Sequence, residues 1–332
     1  MNRIVFILYF MFSLMFTISS CSNEEEDNYT PWRCLSNGIP KYDTYMAMER
    51  DGFTFANQSR EERRHDEMFY SMQSYIEDLL ESAEDVYQLP FEYPNIFEFA
   101  ADSVVRPILP AVYACIMDTS GLFYVGAYLH KMRGHVYAVG RGATNESLTQ
   151  VLDGITPREG SNYLIVDIFP QQYGNKSCTK QNYLYAECID KEDRLTLSAR
   201  IYTLSAKIGI VTQRQNVIEV STSCLRKRRF GNKWRAHHTK TEFAELKYKA
   251  VGFKYVAGTN PSDCEFTYVE CSDSLGEYVY PEENAYHTKT IPIWEVVCTS
   301  QEPKVPYFDY LSIKATTRAI GNNYATIYYR GY

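Results

Sequence analysis

Apolar residues recur at helical spacing in the first third of the chain. Ser59-Arg60-Glu61-Glu62 has the order of a capping box, in which Ser and Glu bond each other's backbone N–H groups at the start of a helix. The apolar positions that follow share one helical face and run to a stop at Leu89-Pro90; they are Phe69, Met72, Ile76, Leu79, Leu80, Ala83 and Tyr87. The pattern predicts a long amphipathic helix, then a second helix from Asn95 to Val105 and a short apolar segment from Pro110.

Near Gly121 alternation replaces helical spacing. Leu122 to Leu129 and Val136 to Val139 predict a β-hairpin around a turn at Lys131 to Gly134, and Asn145 to Leu152 predicts a short helix. The later strand-like segments are Tyr163–Phe169, Tyr183–Cys188, Leu195–Leu204, Ile208–Thr212, Val217–Cys224, Lys233–Thr239, Phe243–Val251, Phe253–Val256, Phe266–Glu270, Ile291–Cys298, Tyr310–Thr317 and Tyr324–Tyr329.

Alternation within these segments indicates sheets with one buried face. Leu246, Tyr248 and Ala250 face one side of a strand, while Lys247 and Lys249 face the other. Short, regularly spaced antiparallel strands with polar turns are typical of a sandwich. We therefore predict an α+β fold, in which a small helical N-terminal region packs on a larger antiparallel β-sandwich-like domain.

The beginning of the chain is a charge-free apolar segment from Ile4 to Ile18, preceded by Arg3. It is short for a membrane span, which needs about 20 residues, and fits a secretory signal. Ile18-Ser19-Ser20-Cys21 resembles the lipobox of bacterial lipoproteins. That resemblance implies cleavage before Cys21 and acyl chains, palmitate among them, that attach Cys21 to a membrane. The alternatives are a secreted protein with a chance cysteine and a transmembrane anchor.

An acidic block follows Cys21 directly. Glu24, Glu25, Glu26 and Asp27 resemble the export signal by which Bacteroidetes send lipoproteins to the outer face of the outer membrane. The resemblance implies a lipid-anchored protein that faces outside the cell. The block also fits a solvated tether, since adjacent like charges repel and extend a chain.

These observations divide the chain into a lipoprotein signal peptide at residues 1–20, an acidic tether at 21–45, a helical region at 46–120 and a β-rich domain at 121–332. Residues 21–120 hold 20 acidic and 7 basic residues, although the formal net charge of the whole chain is only −7. The remainder is therefore net basic, which favours docking between the two regions.

Nine cysteines are present, of which Cys21 is assigned to the lipid. Cys178 and Cys188 flank a short polar segment and are the favoured disulfide pair, since export exposes them to an oxidising compartment. The alternative is that several cysteines are small buried apolar residues.

A run of cations without an acid lies between Leu225 and Thr241. Its candidate ligand-binding residues are Arg226, Arg228, Arg229, Lys233, Trp234 and Arg235. Arginine forks can grip phosphate or sulfate, and an indole can stack on a sugar, so the run predicts contact with an anionic glycan. The alternatives are a solvated hairpin and a hairpin that docks on the acidic helices. Nucleic acid is not expected, because the chain is net negative and exported.

No catalytic motif is present. G-x-S-x-G, H-E-x-x-H and the P-loop are missing, and the adjacent His237 and His238 would point to opposite faces of a strand. We therefore predict no catalytic residue, no metal and no cofactor. Asp102-Ser103-Val104 and Asp273-Ser274-Leu275 resemble the sequon at which Bacteroidetes O-glycosylate exported proteins. Ser274, which we expect in a polar loop, is the better candidate.

Taken together, the chain resembles Bacteroides lipoproteins that have a helical start and a β-rich remainder, through Ser59–Arg63, Gly121–Gly140 and Lys233–Phe243. The resemblance implies a fold class and a location and no known activity. We expect a non-enzymatic, surface-displayed binding or adhesion protein. The alternatives are a hydrolase acting on glycan or peptide and a structural subunit of an outer-membrane complex. A basic-aromatic face would favour binding, whereas a cleft with converging carboxylates would favour the hydrolase.

Overall fold

The fold is α+β, as predicted. The computed structural model describes residues 33–66, 68–101, 104–155, 163–167, 183–208, 211–229, 233–257, 264–275, 278–280, 283–298 and 306–330. Within these ranges six α-helices accompany eighteen strands, and almost all of the strand pairs are antiparallel. No helix in the described ranges has the length and apolar character that crossing a membrane requires.

The helices are α1 (Tyr45–Asn57), α2 (Arg60–Asp66), α3 (Met72–Ser82), α4 (Leu89–Glu92), α5 (Ala111–Ile116) and α6 (Asn145–Leu152). The predicted capping box is confirmed, because the Ser59 amide donates to Glu62 Oε2 at 2.9 Å and the Glu62 amide donates to Ser59 Oγ at 3.2 Å. The prediction of one long helix from the capping box to Leu89 is wrong. Ser71 Oγ accepts from the Ser74 amide at 3.2 Å and so caps a separate helix α3.

The predicted helix at Asn95–Val105 is also wrong. This segment forms two paired strands, β3 (Phe97–Ala101) and β4 (Val104–Pro107). Its aromatic and β-branched residues favour strands once a partner is available. The short helix α6 is confirmed with the predicted bounds, and the apolar segment after Pro110 becomes the fully buried helix α5.

The first sheet has six strands in the order β1 (Arg33–Ser36), β2 (Ile39–Tyr42), β5 (Leu122–Val125), β6 (Tyr128–Arg133), β7 (Val136–Arg141) and β8 (Tyr163–Asp167). Residues 33–42 were predicted as tether, and that part of the prediction is wrong. Strand β2 pairs in parallel with β5, and the hydroxyl of the fully buried Tyr42 donates to the Ile116 carbonyl at 3.1 Å. The sheet therefore crosses the predicted boundary at residue 121.

Two further sheets form the sandwich. One contains β9 (Tyr183–Asp190), β10 (Asp193–Ile208), β11 (Val211–Lys227), β12 (Trp234–Ala236) and β16 (Tyr286–Cys298). The other contains β13 (Thr241–Ala257), β14 (Cys264–Leu275), β15 (Tyr278–Val279), β17 (Tyr307–Thr317) and β18 (Ala325–Arg330). Leu195, Leu197 and Ile218 of the first sheet share a buried cluster with Leu246, Leu311 and Ile313 of the second.

The opposite face of the β9–β12 sheet packs on the helices. Tyr202, Leu204 and Val217 join a second buried cluster with residues of α1, α3 and α5. A buried ion pair lies on this face, where Arg200 and Glu219 are opposite each other on β10 and β11. Glu219 Oε2 accepts from the Ala111 amide at 2.8 Å, and Arg200 donates to the Leu109 carbonyl at 2.9 Å. The pair thus fixes the chain that leads into α5.

Candidate functional site

Several predicted sites lie outside the residues that the structure describes. These are the lipidation site Cys21, the export residues Glu24, Glu25, Glu26 and Asp27, the glycosylation candidate Ser103, and Cys178. Each of them stays a prediction.

Two further candidate residues, Cys188 and Ser274, lie within the described residues. Cys188 lies on β9 outside any disulfide, and the same holds for Cys34, Cys115 and Cys224 among the described cysteines. The structure therefore gives no support to the predicted bridge between Cys178 and Cys188. Ser274 lies near the end of strand β14, so its placement in a loop is wrong; its side chain is nevertheless exposed.

Three of the six cations in the basic segment, which we define as Arg226–Arg235, pair with acids of the same chain. Arg226 donates from Nε and Nη2 to the two carboxylate oxygens of Asp193, at 2.8 and 3.0 Å. Lys233 Nζ lies 3.2 Å from Glu84 Oε2, and Arg235 Nη2 lies 3.6 Å from Glu84 Oε1. Glu84 follows α3, so the contacts support docking on the acidic helical region.

Trp234 is also engaged inside the fold. It packs against the cluster beneath the helices, and the Arg194 guanidinium lies 4.5 Å from the centre of its ring. Its backbone amide donates to Asp85 Oδ1 at 3.3 Å. These contacts cover one side of the indole and argue against the predicted ligand-stacking role. Arg228 and Arg229, near the tip of the segment, remain outside the ion pairs described above.

A second basic region is spread over three adjacent strands, and we call it the outer face. It consists of Glu245, Lys247 and Lys249 on β13, Tyr310, Ser312 and Lys314 on β17, and Thr326, Tyr328 and Arg330 on β18. The register places them in three rows, with Ser312 opposite both Lys247 and Tyr328. Because alternate residues share a side, these positions lie about 6.8 Å apart along a strand and about 4.8 Å apart across strands. The intervening Leu246, Leu311 and Ile327 lie in the sandwich core.

Cations outnumber carboxylates on the outer face. Lys247, Lys249, Lys314 and Arg330 face three acids, which are Glu245, the bulge residue Asp309, and Glu242 at the end of the face opposite Thr316. Lys249 Nζ lies 3.0 Å from Asp309 Oδ2, whereas the ammonium groups of Lys247 and Lys314 lie 3.5 and 3.9 Å from the two oxygens of Glu245. Lys247 and Lys314 are about half exposed, at 50% and 48%. One carboxylate shared at these distances leaves both ammonium groups open to another anion.

Glu245 is held in place and kept ionised by its neighbours. The Ser312 hydroxyl donates to Glu245 Oε1 at 2.8 Å. This hydrogen bond, with the charges of Lys247 and Lys314, lowers the pKa of Glu245 below its usual value. The carboxylate therefore orders the two lysines as a pair on the surface.

Two tyrosines supply an aromatic element between these cations. The rings of Tyr310 and Tyr328 meet edge to face, with centroids 5.9 Å apart and planes at 86°. Tyr328 is 67% exposed, although large aromatic side chains are usually buried. An exposed phenol beside ammonium groups can pack against a sugar ring while the cations bind its anionic substituents.

Sequence patterns predicted the part of the outer face that lies on β13 but not the part on β17 and β18. Alternation placed Lys247 and Lys249 on the polar side of their strand, but the cations of β17 and β18 are more than 60 positions away in the sequence. A signal was present, because Tyr310–Thr317 and Tyr324–Tyr329 were predicted strands with alternating polarity. Their pairing with β13 required the fold.

Comparison with known proteins gives little beyond this geometry. No family model and no curated protein matches the chain. Among solved structures it is similar to a DUF4848 family protein from Bacteroides thetaiotaomicron, at 12% identity and a TM-score of 0.24, over 89% of this chain and 98% of that chain. The described residues also contain no group of three or more His, Cys, Asp or Glu side chains placed to hold a metal.

Proposed function

We propose that the protein is a lipid-anchored, non-enzymatic cell-surface protein that binds an anionic glycan through its outer face. The observation that carries the proposal is the excess of cations around an exposed tyrosine on one flat sheet surface. A polysaccharide with sulfate or phosphate groups has both chemistries that this surface would recognise.

The outer face lies in residues 121–332, the net basic part of a chain whose formal net charge is −7. Like charges gathered on one exposed face repel each other unless an anion balances them. Glu245 and Asp309 provide a part of that balance, and a bound polyanion would provide the rest.

The predicted location on the outer face of the outer membrane fits this function. Lipid on Cys21 and export directed by Glu24–Asp27 would display the sandwich outside the cell, where sulfated and phosphorylated polysaccharides are encountered. Changing Cys21 to Ala should release the protein from the membrane or block its processing. Changing Glu24–Asp27 to Ala should keep the lipid but shield the protein from external protease. Unchanged membrane partition of the Cys21 variant would contradict lipidation. Unchanged protease access in the Glu24–Asp27 variant would contradict export by these residues.

Binding to an array of neutral, sulfated and phosphorylated glycans tests the proposed ligand class. We expect the parent protein to bind anionic members more tightly than neutral ones, and this preference should weaken as salt is added. Tyr328→Ala should weaken binding by about fivefold, since aromatic packing of this kind contributes on the order of 1 kcal/mol. Tyr324→Ala is a matched control, because Tyr324 is also exposed and precedes β18. Equal binding to neutral and anionic glycans would refute the proposal.

A further inference from the structure

A cavity of about 300 Å³ lies apart from the outer face, between the helices and the segment that leads into β16. One wall comes from the end of α1, from α2 and from α3, and the other from Tyr280 and residues 284–288. Its volume is at the lower end of the range for small-molecule sites. No residue of the outer face lines it.

The helical wall presents two guanidinium groups, of Arg60 and Arg63, and three carboxylates, of Glu62, Glu77 and Glu81. Arg63 and Glu77 form a salt bridge, and their side chains are only 5% and 8% exposed. Arg60 bridges Glu77, with Nε 3.6 Å from Oε2, and also pairs with Glu81. Gln73 donates from Nε2 to Glu77 Oε1 at 2.8 Å. The wall therefore offers fixed donors and acceptors with little excess charge, which disfavours a strongly charged ligand.

The opposite wall is aromatic with polar edges. The rings of Tyr280 and His287 stack, with centroids 4.3 Å apart and planes at 27°. Both residues are buried in the protein, and the half-buried Asn284 lies beside them at the cavity. An amide next to an aromatic pair combines hydrogen bonding with an apolar surface.

We propose that this cleft binds a neutral polyhydroxylated ligand of the size of one sugar unit. Hydroxyl groups both donate and accept, so they match a wall in which guanidinium and carboxylate groups alternate. A sugar ring also has an apolar side for the aromatic wall. The nearly balanced charge separates this site from the outer face, whose ligand must be anionic.

Titration of the purified full chain with uncharged monosaccharides, glucose, galactose, mannose and N-acetylglucosamine, tests the cleft. We expect at least one to bind with a Kd in the millimolar range and with little dependence on salt. Glu81→Gln keeps the side-chain shape but removes a charged acceptor, and should weaken binding about tenfold. Asn284 lies outside the named strands and pairs with Thr239 through an isolated backbone bridge, which a side-chain change does not remove. Asn284→Ala should therefore weaken sugar binding without unfolding the protein.

Glu61→Gln on the exposed side of α2 is the matched control and should leave the Kd unchanged. The outer-face variant Lys247→Glu with Lys314→Glu should also keep sugar binding, which separates this inference from the proposed function. No binding by the parent protein up to about 10 mM sugar, a concentration that would reveal a millimolar Kd, would overturn the proposal. So would parent binding that neither Glu81→Gln nor Asn284→Ala alters.

Discussion

The basic segment and the outer face contain similar side chains, which the fold arranges in different ways. In the basic segment, Arg226 is paired with Asp193, and Lys233 and Arg235 share Glu84. On the outer face, Lys247 and Lys314 share Glu245 at 3.5 and 3.9 Å, and Tyr328 stands exposed between cations. Three of the six cations of the basic segment are thus tied to Asp193 and to the acidic helical region, whereas those of the outer face gather on one side of a sheet beside an exposed tyrosine.

The comparison shows that a high density of cations along the sequence does not by itself produce a positively charged surface. Neighbouring residues of a strand point to opposite sides, so a run of cations is divided between two surfaces. Each part then meets whatever the fold places opposite, and here that is the acidic chain after α3. Cations two positions apart on paired strands instead collect on one side. Surface charge is therefore better read from alternation in several strands than from one basic run.

The largest effect is expected where a charge is paired in the core. Glu219→Gln would leave the buried Arg200 without its carboxylate, which should cost about 3–5 kcal/mol of unfolding free energy. Urea denaturation measures the loss. Lys247→Gln on the outer face is the control and should change stability by less than about 0.5 kcal/mol. A loss below about 1 kcal/mol for Glu219→Gln would contradict the claim that the buried pair matters more for stability than the surface charges do.

A pH-dependent effect, small near pH 6 and growing as pH falls, is expected at His130, which the core keeps neutral. Its ring is fully buried between Phe123 and Tyr137, and burial lowers the pKa to about 3. The unfolded chain binds this proton near pH 6.5, so the contribution is present above that pH. Stability is lost as pH falls from about 6.5 towards 3, by at most about 1.4 kcal/mol per pH unit.

Replacing this histidine checks the sign of that effect. His130→Leu should flatten the stability curve between pH 6.5 and 3, whereas Lys247→Gln should not. Chemical denaturation at a series of pH values gives both curves. If His130→Leu keeps the acid loss of the parent protein, protonation of this ring is not its cause.

The smallest effect is expected for the ion pairs of the basic segment. Glu84 is 70% exposed, and pairs of this kind contribute less than about 1 kcal/mol. Glu84→Gln should therefore lower the thermal midpoint only slightly. It should also free Lys233 and Arg235, so weak binding of sulfated dextran to the segment should appear in a Lys247→Glu, Lys314→Glu background. If this variant gains no binding of sulfated dextran, Glu84 is not what prevents Lys233 and Arg235 from binding it.

Local patterns predicted the parts of the fold that depend on neighbours in sequence. The Ser59–Glu62 capping box and α6 are confirmed, and so is the alternation of Leu246 and Lys247 in β13. The errors arose where a distant partner decides the conformation. Residues 33–42 are polar enough for a tether, yet pairing with β5 and burial of Tyr42 make them strands. Asn95–Val105 has helical spacing, but strand pairing prevailed.

The candidate site follows the same rule. The basic segment was visible in the sequence because its cations are contiguous, but its partners Glu84 and Asp193 could not be assigned without the fold. The outer face needed the register of β13, β17 and β18, which no local pattern contains. Its tyrosines were visible only as members of predicted strands.

The most direct test of the account compares charge reversal in the two basic regions. Binding of the purified protein to dextran sulfate, with unsulfated dextran as the reference, is measured for two double variants at physiological salt. Lys247→Glu with Lys314→Glu should abolish binding and leave the thermal midpoint nearly unchanged. Arg228→Glu with Arg229→Glu should reduce affinity only a few-fold, an effect on the order of 1 kcal/mol or less at exposed sites. Loss of binding in the second variant with full binding in the first would contradict the account.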